Sequence, residues 1–270
     1  RPINHAGQTP KSHTFKVNPA PSSLRHAADV YGNTRSSFAL QVPHEVLVVE
    51  AHSTLVTHPS PPVVSQMRWE SVRDRFGYQA GWAFDAASEF VFASPFVPRR
   101  AEFAEFARAD FGAGAVFLEA AIALMDRIHH EFTYESYSTQ INTPALQALA
   151  QRKGVCQDFA HILIACLRTL GLPARYVSGY LLTEPPPGQE KLIGSDASHA
   201  WVSIYLPDLP EGQRWVDLDP TNNRWGWFSP GDDYITVATG RDFGDVSPLR
   251  GVIHGGASHV LTVGVTVMPS

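Results

Sequence analysis

Cysteine is scarce in this chain: there are two, Cys156 and Cys166, in 270 residues. That excludes a disulfide scaffold and any zinc site built mainly on thiolates. On a single helix, ten residues at about 1.5 Å each would hold the two apart by roughly 15 Å. A disulfide needs Cα atoms within about 7 Å, so both are expected to be free thiols, which suits a reducing compartment. Long apolar runs are absent too. None approaches the roughly 18 residues of a membrane-spanning helix, and no charged, apolar, small-residue leader pattern opens the chain. A cytoplasmic location is the default expectation. The chain begins at Arg1 rather than methionine, which suggests that residues upstream have been removed. Lysine is rare, 4 against 17 arginines, and the arginines are scattered. With a net charge of −5 and a pI near 6.2, nothing points to nucleic acid as a partner.

The chain divides in two by hydrophobic period. Residues 1–98 read as strands and turns. In "DVYGNTRSSFALQV" a Gly-Asn turn precedes a run in which Phe38, Leu40 and Val42 alternate with other residues. "HEVLVVEAHSTLVTH" is rich in β-branched residues and closes at "PSPP". His44, His52 and His58 lie along these runs without ligand-like spacing, so no metal is expected there. Residues 99–270 are first helical. Phe117, Ala121, Leu124, Ile128 and Phe132 recur at three- and four-residue spacing, and "NTPALQALAQRKG" starts at Thr-Pro and stops at Gly154. His129 and His130 fall at a helix C-terminus, where imidazolium suits the dipole, and read as surface residues. Strand-like runs follow: "ARYVSGYLL", "SHAWVSIYL", "RWVDLDPT", "YITVATG" and "HVLTVGVTVM". A helical block followed by an antiparallel sheet is an α+β domain, here preceded by a small all-β domain.

Chemistry concentrates at "KGVCQDFAHILIACLRTLGLP". Phe159, Ile162, Leu163, Cys166, Leu167 and Leu170 form one apolar helical face, ended by Gly171 and Pro173. Cys166 sits on that face as a packing residue. Cys156 falls at the first turn, where unpaired N–H groups and the helix dipole favour a thiolate. By position alone it is either a nucleophile or a small buried residue. His199 opens one later strand and Asp219 closes the next. If those strands are neighbours and the helix start meets their edge, a thiol, an imidazole and a carboxylate converge, as acyl transfer requires. Asp217 rivals Asp219, because strand alternation puts both on one face.

The segments "GVCQDFAHILIACLRTLGLPARYVSGYL", "SHAWVSIYLP" and "WVDLDPTNN" resemble the three signature segments of the bacterial transglutaminase-like superfamily. The upstream "DVYGNTRSSFAL…PHEVLVVEAHSTLV" is similar to its β-rich N-terminal domain, and "VATGRDFGDVSPLRG" to its C-terminal segment. The resemblance implies a papain-like core with Cys156 as nucleophile, His199 as proton shuttle and Asp219, in "W-x-x-x-D-P-T", as the orienting acid. It also implies an extra strand pair at the start of the N-terminal domain, which this sequence lacks. Gln157, Tyr180, Ser198 and Trp201 adjoin these positions and are candidates to line a substrate pocket. Asp158 is equally readable as a carboxylate at a helix start.

The expected chemistry is acyl transfer on a peptide or protein amide through a thioester, with hydrolysis favoured over transfer to an amine because no acceptor site is legible. No metal or organic cofactor is implied, and no calcium-binding loop is recognisable. The other reading is a catalytically inactive binding module on the same fold.

Overall fold

The computed structural model describes residues 1–78, 80–81, 83–135, 143–183, 198–255 and 259–269. The N-terminal strands form two hairpins. β1 (Gln8–Asn18) pairs antiparallel with β4 (Val48–Thr57), and β2 (Ser23–Ala28) with β3 (Thr34–Ala39). Many of their side chains are exposed, so these hairpins add little to the main core.

Helical structure begins earlier than the change of period at residue 99. α1 (Trp69–Arg75) and a 3-10 turn at Ala86–Val91 lie ahead of it, and Val72 and Val97 are fully buried in the main core. α2 (Ala101–Ala107), α3 (Phe117–Glu131) and α4 (Ala145–Gln151) follow. Two short strands, β5 (Thr133–Tyr134) and β6 (Lys153–Gly154), pair in parallel and deliver the chain to α5 (Cys156–Thr169). Between α4 and β6, Arg152 takes the left-handed conformation at φ 54° and turns the chain.

α5 is not the amphipathic helix its leucine pattern suggests. Every residue from Asp158 to Arg168 is buried. It runs through the centre of the core between the other helices and a sheet, so it has no solvent face. Its polar residues are therefore satisfied internally. Arg168, 0% exposed, donates to the carbonyls of Ala174 (2.8 Å) and Arg241 (2.7 Å). His161 stacks on Phe96 and accepts from the Phe243 N–H, and burial lowers its pKa to about 4, which keeps it neutral.

The sheet is five-stranded and antiparallel in the order β10-β9-β8-β7-β11: β7 Ala174–Leu181, β8 Ser198–Tyr205, β9 Trp215–Asp219, β10 Arg224–Trp227 and β11 Tyr234–Gly240. One short helix, α6 (Phe243–Val246), follows. Tyr176, Val202, Ile204, Val216 and Leu218 share one core with the apolar residues of α5. β11 is an edge strand, and two amides from the N-terminal hairpin region cover it. Gln8 bonds both backbone groups of Thr236 (2.7 and 2.8 Å), and Asn33 bonds both of Thr239 (2.7 and 2.8 Å). Each carboxamide supplies the donor and acceptor that a neighbouring strand would.

The expected last strand, "HVLTVGVTVM", is corrected. The described residues 259–269 carry only an isolated bridge at Val265, and Val260 is 91% exposed. Alternation by itself does not make a strand, which also needs a partner strand along its length.

Candidate active site

Gly154 lets α5 start where it does. A Cβ there would lie 2.7 Å from Asp158 Oδ2, the oxygen that accepts the Val155 N–H at 2.9 Å. Asp158 is thus the helix-capping carboxylate, 2% exposed, one of its two possible readings. The cap leaves Cys156 as the first residue of the helix, half-buried, with an N–H that has no intrahelical acceptor. Cys166, ten residues on, is fully buried, and burial pushes its thiol well above the ordinary range.

β8 and β9 are neighbours, with Val202 opposite Leu218 and Ser203 opposite Asp217. His199 and Asp219 meet across them. Nε2 of His199 lies 2.7 Å from Asp219 Oδ2, with the histidine 9% and the aspartate 0% exposed. The Cys156 side chain acts on the same imidazole and raises its pKa. Since Nε2 is taken by Asp219, Nδ1 is the ring atom left for the thiol. Burial alone would disfavour the imidazolium, but the bonds and charges of Asp219 and Cys156 outweigh it and raise the His199 pKa to about 10. Burial likewise acts to raise Asp219, yet donors from His199, Tyr234 and Asn222 hold it below the usual carboxylate range. An imidazole and a carboxylate are thus paired at 2.7 Å, and the helix-start thiol acts on the same imidazole.

Asp217 has a different environment. Its Oδ2 accepts the Trp201 indole N–H at 2.8 Å, and burial raises its pKa despite that bond and the nearby Arg175 charge. The expectation that Trp201 lines a pocket is corrected. It is 0% exposed, locked by Asp217 and packed edge-on against Tyr234 with ring centroids 5.4 Å apart. Gly179, opposite His199, makes room for that indole: a Cβ there would collide with the Trp201 ring and the Ile235 carbonyl. Tyr180 and Ser198 face each other across β7 and β8, half-buried and exposed, beside His199. Gln157 is half-buried in the first turn of α5.

Three residues beside this site were not singled out from the sequence. Asn222 Nδ2 donates to Asp219 Oδ2 at 2.7 Å, and the Tyr234 hydroxyl donates to the same oxygen at 2.7 Å. Tyr134, 52% exposed, sits opposite Gly154 on β5, and its pKa is raised by burial and by the charge of Cys156. Asn222 follows "DPT" directly and so had a positional signal. Tyr234 opens a separate strand and had none. Among the described residues no group of three or more His, Cys, Asp or Glu side chains is placed to hold a metal. Nor is any helix of theirs long and apolar enough to cross a membrane.

Known proteins resemble this chain. Residues 107–220 match the Transglutaminase-like superfamily core, and residues 1–56 match the Bacterial transglutaminase-like N-terminal region. The uncharacterized protein Rv2569c of Mycobacterium tuberculosis is 38% identical over 99% of this chain and 84% of its own length. The uncharacterized protein ML0607 of Mycobacterium leprae is 30% identical over 98% and 91%. The chain belongs to the transglutaminase-like superfamily. A protein-glutamine gamma-glutamyltransferase of Pseudomonas aeruginosa is 32% identical over 37% of this chain, but only 15% of its own length. Among solved structures, a protein described as a "Putative Cysteine Protease" from Cytophaga hutchinsonii superposes with a TM-score of 0.64. It is 22% identical and covers 92% of this chain and 76% of its own, a likeness of fold.

Proposed function

We propose that this protein is a cysteine-dependent acyl-transfer enzyme acting on amide bonds of a peptide or protein, with hydrolysis the favoured outcome. The observation that supports the reading is His199, bonded at 2.7 Å to a fully buried carboxylate and raised in pKa by Asp219 and by Cys156 at the start of α5. The Cys156 thiolate attacks the carbonyl carbon, and the tetrahedral oxyanion forms beside the Cys156 N–H at the start of α5. The imidazolium gives its Nδ1 proton to the departing nitrogen as the C–N bond breaks, leaving a thioester on Sγ. Neutral His199 then takes a proton from water, whose oxygen attacks the thioester carbonyl; the C–S bond breaks, releasing the carboxylic acid and restoring the Cys156 thiolate beside the His199 imidazolium. Asp219 keeps the other ring proton on Nε2, so Nδ1 always faces the sulfur.

An amine in place of water would give transfer. The named activity of the Pseudomonas relative favours testing this outcome, while water is preferred because no acceptor site is legible in the sequence. The test is site-resolved iodoacetamide alkylation against pH, on the native protein and on His199→Ala. Expected is labelling confined to Cys156, persisting below about pH 6 and weakened there by the histidine change. Labelling of Cys156 that follows an ordinary thiol near pH 8.5, indifferent to His199, would overturn the proposal. Glutamine-containing peptides with and without a primary amine then separate hydrolysis from transfer by the mass of the product.

A further inference from the structure

Asp219 Oδ2 receives three donors, and two of them are neutral. Besides His199 Nε2, the Tyr234 hydroxyl and Asn222 Nδ2 each lie 2.7 Å away, while Oδ1 accepts the Thr221 N–H at 2.8 Å. A buried carboxylate needs donors to stay ionised, but each neutral donor on Oδ2 also draws off charge that would otherwise act on the imidazole. Tyr234 is built to hold this position. It is 1% exposed, opens β11 opposite Leu181 and packs edge-on against Trp201. The Arg224 guanidinium lies 4.9 Å from its ring centre. Two residues further on, Gln8 fixes the backbone of Thr236. Asn222 also comes within 3.3 Å of His199 Nε2 and 3.2 Å of the Tyr234 oxygen, closing a ring of contacts around one carboxylate oxygen.

We infer that Tyr234, assisted by Asn222, is a positioning residue of the acyl-transfer site, holding Asp219 Oδ2 on the imidazole and setting how firmly His199 keeps its proton. This rests on the function proposed above. Without the tyrosine hydroxyl, Asp219 has one donor fewer and takes up a proton at higher pH. Its undiverted charge binds the imidazolium more firmly, so His199 also loses its proton at higher pH. The more strongly held proton is a poorer general acid for the leaving nitrogen. The ionisable groups around the pair are Cys156 from α5, Tyr234 from β11 and Arg224 from β10, the last paired with Asp233. Removing only the tyrosine oxygen takes away the phenol and leaves the side chains of Cys156, Arg224 and Asp233 chemically unchanged.

The experiment is Tyr234→Phe, which keeps the ring and its packing, alongside Asn222→Ala at an exposed turn position that leaves the core intact. His199 is followed by nitrogen-15 NMR on histidine-labelled protein, assigned with His199→Ala. Two readings are taken: the pH at which the ring deprotonates, and the pH at which its Nε2–H resonance changes as Asp219 protonates. Both are expected to move upward, by about half a unit to one unit in Tyr234→Phe and in the same direction in Asn222→Ala. Turnover falls about 3- to 10-fold with KM unchanged, on whichever amide substrate the native enzyme accepts. A tyrosine that only packs would lower the melting temperature and leave both titrations in place, and that result in the two variants overturns the inference. Native protein lacking His199-dependent alkylation of Cys156 would instead overturn the underlying function, a separate and distinguishable failure.

Discussion

Two aspartates two residues apart on β9 give the sharpest test, because their isosteric amides should fail in different ways. In Asp219→Asn the carboxamide must replace an oxygen pair that receives donors on both sides: His199, Tyr234 and Asn222 on Oδ2, and the Thr221 N–H on Oδ1. If the NH2 takes the Oδ2 position, His199 Nε2 must become an acceptor and its proton moves to Nδ1, against the sulfur. If the oxygen takes that position, the NH2 meets the Thr221 N–H, and the negative charge is gone in either case. Loss of the orienting carboxylate in such a series costs roughly 10³- to 10⁴-fold in turnover, or about 4 to 5.5 kcal/mol of transition-state stabilisation. His199 falls back toward its ordinary pKa, so alkylation of Cys156 at pH 6 should slow by about tenfold or more. Asp217→Asn keeps an oxygen for the Trp201 indole at 2.8 Å and loses only the charge facing Arg175. It should lose about 1–3 kcal/mol of stability and retain native alkylation per folded molecule. The assay is pseudo-first-order iodoacetamide labelling read by mass spectrometry, with urea unfolding on the same samples. Equal loss of labelling in both variants, or native labelling in Asp219→Asn, would refute the assignment of the orienting acid.

Gln8→Ala and Asn33→Ala should each lose about 1–3 kcal/mol in urea unfolding: the first leaves the Thr236 N–H unpaired, with the Ile3 N–H still on the Thr236 carbonyl, and the second leaves both backbone groups of Thr239 unpaired. No loss in either would mean that water replaces the amides freely. Gly179→Ala should be among the most damaging single-methyl changes, at about 1–3 kcal/mol or more, since its Cβ meets the Trp201 ring and the Ile235 carbonyl. A native-like melting curve would show that the sheet relaxes there. Stability against pH should carry two signed contributions from the buried pair. The raised His199 pKa gives stability present in full below about pH 6.5 and lost as pH rises through about 10. The lowered Asp219 pKa gives stability present above about pH 3.9 and lost as pH falls through its folded value. His199→Ala should flatten the alkaline fall, and a variant with the native alkaline profile would show that another group titrates there.

Position along the chain determined much of this site. A glycine before a helical apolar pattern put Cys156 at a helix start, because unpaired N–H groups exist only there. Strand-like runs around His199 and Asp219 put an imidazole and a carboxylate at strand ends, and the order of the three signature segments identified the family. Period and turn residues likewise separated the strand-rich opening from the helical block, since those signals are local. Tertiary structure alone decided the rest. Asp217 and Asp219 share a strand face, so periodicity cannot separate them, and only the neighbours across β8 make one an anchor for Trp201 and the other a partner for His199. Trp201 adjoins a candidate catalytic position in sequence but is buried among Val177, Tyr234 and the space left by Gly179. The central burial of α5 was hidden because its polar residues, Asp158, His161 and Arg168, find partners only in the folded chain. The C-terminal valines alternate like a strand, but a strand also needs a partner strand along its length. Tyr234 reaches Asp219 from a separate strand, because hydrogen bonds are fixed by distance in space, which no local pattern records.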